Sequence, residues 1–117
     1  MKEYPKITIY GQVPSKSNNY KAGEHGFYKS DAVERYERQF FLQSGVYRNL
    51  NIEGLFEFYI DVYYTSMRPD LDGMLKAVLD CLQQCKAIKN DNRCVKIVAQ
   101  KFVDKQSPRI EFSITEI

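Results

Sequence analysis

Alternation of apolar and polar side chains predicts four strands in this chain, and a slower apolar rhythm predicts two helices. Ile7 and Ile9 alternate with Thr8 and Tyr10, so residues 6–13 read as a strand. Residues 55–64 carry the clearest pattern. Phe56, Phe58, Ile60, Val62 and Tyr64 fall on one face, and Glu57 and Asp61 fall on the other. Residues 95–103 set Val95, Ile97 and Ala99 against Lys96, Val98 and Gln100, a strand with mixed faces. After a turn at Ser107-Pro108, Ile110, Phe112 and Ile114 alternate with Glu111, Ser113 and Thr115, which predicts a final hairpin strand.

The first helix follows Ser30-Asp31. Asp31 with Glu34 three residues on has the form of a capping box. Val33, Tyr36, Phe40 and Phe41 form its apolar stripe, and the helix is expected to end near Gly45. Pro69 favours a second helix start, because its missing N–H costs nothing in a first turn. Leu71, Leu75, Val78 and Leu82 then recur at helical spacing until the turn cluster Lys89-Asn90-Asp91-Asn92. Residues 14–26 are turn-rich and read as a long loop. The order is β-α-β-α-β-β, an α+β domain with one mixed sheet and two helices packed on it. No repeat or linker divides the chain, so residues 1–117 are expected to form a single domain.

Chemistry concentrates where the best strand hands over to the second helix. Asp70 and Asp72 stand two residues apart, Lys76 follows Asp72 by four residues, and Asp91 lies in the loop beyond the helix. Taken alone, Asp-X-Asp is usually a surface turn or a helix cap, and Asp70 could serve as one. Lys76 and Asp80 are also spaced as an ordinary helix-surface pair. Convergence of three acids would be costly by itself. Two carboxylates about 5 Å apart repel by roughly 3 kcal/mol at an effective dielectric of ~20. A divalent cation removes that conflict, and all-oxygen ligation selects Mg²⁺ or Mn²⁺. Hard-metal ligands beside a lysine point to phosphate chemistry, and so to a nuclease.

Composition refines this picture. The chain is 44% hydrophobic and 27% charged, ordinary for a globular domain. Net charge is only +2, so a general basic coat is absent and nucleic-acid contact must come from local basic clusters. Lys16, Lys21 and Lys29 interleave with Tyr20, Phe27 and Tyr28, which suits phosphate contact with base stacking; a solvated loop presents the same pattern. Arg68 adjoins Asp70 and is the stronger DNA candidate. Lys101 is a candidate by strand alternation, with a snorkelling edge lysine as the alternative. His25 is the only histidine and reads as surface. Cys81, Cys85 and Cys94 lack zinc-site spacing and read as reduced, partly buried thiols. No apolar run approaches the ~20 residues that span a bilayer, and the opening lacks an apolar signal core. The expected setting is a reducing cytoplasm.

At Arg68-Pro69-Asp70-Leu71-Asp72-Gly73-Met74-Leu75-Lys76-Ala77-Val78-Leu79-Asp80, with an acid-bearing turn ending at Asp91, the sequence resembles the RusA family of Holliday junction resolvases. The opening strand with Pro14-Ser15-Lys16-Ser17-Asn18 is similar to the family's start, so the likeness covers nearly the whole chain. The resemblance implies a homodimeric, Mg²⁺-dependent endodeoxyribonuclease that resolves four-way DNA junctions by paired incisions, in recombination and repair. It implies a bacterial cell or its prophage as the setting. By motif match, Asp70, Asp72 and Asp91 take the metal-binding catalytic roles and Lys76 the essential lysine role. Two positions depart from the pattern. Gly73 replaces a common asparagine, and Asn90 replaces the first of an acid pair. Those departures keep a rival reading open, a branched-DNA-binding protein without turnover. A small structural dimer with a surface acid cluster is a third.

Overall fold

The computed structural model describes residues 1–15, 20–23 and 26–117, and for 20–23 and 26–29 it describes the backbone. A five-stranded mixed sheet carries two helices on one face, as the alternation predicts. In chain order the strands are β1 (Lys2–Glu3), β2 (Ile7–Tyr10), β3 (Tyr20–Gly23), β4 (Gly26–Lys29), β5 (Phe56–Tyr64), β6 (Cys94–Val103) and β7 (Arg109–Glu116). The helices are α1 (Asp31–Gln43) and α2 (Leu75–Gln84). Short β3 and β4 pair with each other as a separate ribbon, so the long loop expected over residues 14–26 is partly strand. Four-residue strands are too short for alternation to announce them.

β5 is central. Its inward residues Phe56, Phe58, Ile60, Val62 and Tyr64 are all buried. It pairs antiparallel with β7 on one side and parallel with β6 on the other. β1 and β2 pair with the far edge of β7. The hairpin expected between β6 and β7 therefore does not form. Burial supplies the reason. Ile110, Phe112 and Ile114 are fully buried and demand a place inside the sheet, whereas β6 mixes lysines with its apolar residues and stays at the edge.

Ser30, rather than Asp31, caps α1: its hydroxyl accepts from the Val33 N–H at 3.3 Å. Val33, Tyr36 and Phe40 face the core. Phe41 does not. It is 43% exposed and lies under the Arg48 guanidinium, because adjacent helical residues diverge by about 100°. The chain turns away at Gly45, whose φ of +55° suits glycine. In the second helical segment a 3₁₀ turn, Leu71–Met74, precedes α2 and resets the phase. Met74, Ala77, Val78, Cys81 and Leu82 consequently form the buried stripe, and Leu71 is exposed.

The core closes around Phe112, which stacks on Phe40 at 5.9 Å and touches the rings of Tyr47 and Phe58. Tyr47 ties the sheet edge to the core. Its hydroxyl donates to the Pro5 carbonyl at 2.7 Å and accepts from the Ile114 N–H at 3.1 Å. Tyr36 is different: its buried hydroxyl has no hydrogen-bond partner among the described residues. Tyr36→Phe removes a desolvated donor at no packing cost and is expected to hold or raise the melting temperature. Thermal unfolding checks this; a loss above about 1 kcal/mol would show that the hydroxyl has a partner.

Candidate active site

Asp70 follows the end of β5 in extended backbone, with φ −70° and ψ 149°, and heads the 3₁₀ turn that carries Asp72. Its side chain makes no capping hydrogen bond. Capping therefore does not explain the acid. Both aspartates are exposed, and neither forms an ion pair among the described residues. Both act on Tyr64. Its hydroxyl, 3.4 Å from the Asp70 carbonyl oxygen, has its pKa pushed up to about 12, first by burial and then by the negative charges of Asp72 and Asp70. Strand alternation assigns Tyr64 to the core, which hides that its hydroxyl end belongs to the site.

Lys76 stands one turn beyond Asp72 on α2, and Asp80 holds its ammonium at 3.5 Å. Lys101 reaches the same place from β6. Its ammonium donates to the Pro69 carbonyl at 2.9 Å and the Met67 carbonyl at 3.2 Å. It clamps the segment between β5 and Asp70. Arg68 and Met67 are exposed on that segment. Lys16 and His25 lie outside the described residues. Lys21 and Lys29 fall in the β3–β4 ribbon, opposite Tyr28 and Tyr20 respectively; their side chains also lie outside the described residues.

Asp91 stands elsewhere. Its N–H donates to the Gln83 side chain at 2.8 Å, near the C-terminal end of α2. Eleven residues, about 16 Å of helix axis, separate Gln83 from Asp72. A network of backbone bonds holds the turn there. Asn49, Asn51 and Ile52 donate to Cys85, Lys86 and Ala87, and Lys89 donates back to Ile52. Asn90 is used locally as well, since its side-chain oxygen accepts from the Asn92 N–H at 2.9 Å. Among the described residues no three of His, Cys, Asp and Glu gather as a metal group. Asp70 and Asp72 alone suit Mg²⁺, which is commonly held by one or two carboxylates plus water and substrate phosphate.

No described helix is long and apolar enough to cross a membrane. No curated protein matches the chain significantly. The profile of the family described as endodeoxyribonuclease RusA matches residues 10–115 of the 117, and so contains every acid and lysine just placed around α2. With that match over nearly its whole length, the chain belongs to the RusA endodeoxyribonuclease family.

Proposed function

We propose that this protein is a Mg²⁺-dependent endodeoxyribonuclease that resolves four-way DNA junctions by paired incisions, working as a homodimer in the cytoplasm. The observation that carries the reading is the Asp70–Asp72 pair. It is exposed, free of capping duty, and fixed at the sheet end of a chain matched throughout by a nuclease family. Mg²⁺, or Mn²⁺ in its place, when bound there supplies Lewis-acid polarisation of a phosphate and a more acidic water. Asp70 and Asp72 would hold it. Lys76 would stabilise charge developing on the scissile phosphate, with Asp80 keeping its ammonium on the helix face. Lys101 would act as a positioning residue by fixing the loop that carries Asp70. Arg68 and the lysines at 16, 21 and 29 would contact the phosphate backbone. Hydrolysis at phosphorus would leave 5′-phosphate and 3′-hydroxyl ends.

A labelled four-way junction and a linear duplex of the same sequence, each with and without Mg²⁺, test this. The expected result is cleavage of the junction alone and only with the metal. Cutting in excess EDTA would sink the metal requirement. Binding without cutting would support the rival, a branched-DNA-binding protein. The separation of Asp91 from the acid pair is the observation that favours that rival. Lys76→Ala is expected to slow cutting by about 10²–10³, the usual effect of losing one transition-state donor, while junction affinity changes far less. Collapse of affinity with the rate at saturation unchanged would make Lys76 a phosphate anchor instead.

A further inference from the structure

The edge strand β6 is the least protected part of the described fold. It has ten residues and only one neighbour, β5. Val95, Ile97, Val98, Phe102 and Val103 are each 39–53% exposed along it. Natural sheet edges are usually blunted by proline, by charges or by a covering element. Here no proline interrupts the strand, and Lys101 is turned back onto the Met67 and Pro69 carbonyls. One irregularity falls at its start, where the register shifts between Phe56 and Glu57 of β5. From Lys96 to Val103 the edge is regular.

The two ends of β6 hold the separated halves of the candidate site. Asp91 lies three residues before its first residue, and Lys101, near its last, touches the segment leading into Asp70. An antiparallel copy of β6 across a two-fold axis would place the start of one strand beside the end of the other. We infer that two copies of this chain pair through β6 and that each site joins Asp70 and Asp72 of one subunit to Asp91 of the partner subunit. One operation then covers the apolar edge and brings the missing acid to the pair. The charges allow it. Residues facing each other in such a pairing share a sheet face, whereas Lys96 and Lys101 lie on opposite faces. A lysine therefore meets a lysine only if the axis passes through it. The inference rests on the proposed metal-dependent function, and it gives the dimer a role in assembling each site as well as in pairing the cuts.

Three measurements on the full-length protein test it. Light scattering should give twice the 13.7 kDa chain mass for the wild type and a monomer for Val98→Glu, with circular dichroism confirming its fold. A wild-type monomer, or a Val98→Glu dimer, overturns the seam. Mn²⁺ titration should show binding at least about 10-fold weaker in folded Val98→Glu, whose three aspartates are intact. Mixed dimers of Asp72→Asn and Asp91→Asn, purified through different tags, decide the sharing even where Val98→Glu fails to fold. One site of the mixed dimer would carry both changes and the other neither. It should bind one Mn²⁺ per dimer and nick a junction, while each parent homodimer does neither. Mixed dimers without Mn²⁺ binding overturn the shared site. If the wild type cuts and the mixed dimer is inert to metal and DNA, the sharing fails and the nuclease reading stands. If the mixed dimer recovers Mn²⁺ but the wild type never cuts, the nuclease reading fails and the shared site stands.

Discussion

Asp72→Asn is expected to abolish junction cleavage, by about 10³ or more in rate, while leaving junction affinity near that of the wild type. Asparagine is nearly isosteric, so the 3₁₀ turn and the start of α2 keep their course. What changes is the charge available to a divalent cation. The melting temperature should be unchanged or higher, because one of two neighbouring like charges is gone. Asp70→Asn and Asp91→Asn should lose cleavage in the same way. Single-turnover cutting, a gel-shift titration in Ca²⁺ and thermal unfolding check the three readouts. A wild-type rate in any of these variants removes that residue from the catalytic set. A melting temperature many degrees lower would instead assign it a structural role.

Phe112→Ala is expected to produce the largest stability loss of any single change in the core. The side chain is fully buried in the middle of β7, opposite Ile60 of β5 and Ile7 of β2, and it meets the rings of Phe40, Tyr47 and Phe58. Removing it forfeits the transfer free energy of the ring and leaves a cavity that the flanking strands cannot close. The expected cost is about 3–5 kcal/mol. That is a large share of the ~5–15 kcal/mol typical of a domain. Urea unfolding should show the midpoint falling with the slope unchanged. Phe112→Leu, which keeps most of the volume, should cost less than half as much. Equal losses in the two variants would mean that aromatic contact, not volume, holds this part of the core.

The sheet was legible because its central strand is buried on one face and half-exposed on the other, so Phe56 to Tyr64 alternates without error. The Asp70–Asp72–Lys76 group was legible for a related reason: a strand end and a helix start fix it within a few residues. Features set by distant contacts were not. Nothing local says that β7 pairs with β5 and leaves β6 at the edge; the competition among strands for buried positions decides that. The 3₁₀ turn at Leu71–Met74 is invisible to a 3.6-residue rhythm, and it moved the buried stripe from Leu71 and Leu75 to Met74, Ala77 and Cys81. Tyr47 and Tyr64 read as plain apolar or aromatic positions, although both hydroxyls have specific neighbours across the fold. Asp91 is the instructive case. The motif assigns it a role beside Asp70 and Asp72, but its backbone is tied to Gln83 and to the segment before β5, so one chain keeps it apart.

A supercoiled plasmid that extrudes a cruciform gives the most direct test of junction resolution by paired, metal-dependent cuts. Two symmetric incisions within one binding event convert the plasmid to a linear form, whereas isolated incisions give a nicked circle. With purified wild-type protein and Mg²⁺, linear product is expected from the first turnover, and none in excess EDTA. Persistence of supercoiled plasmid under conditions where the protein demonstrably binds the junction would contradict the account.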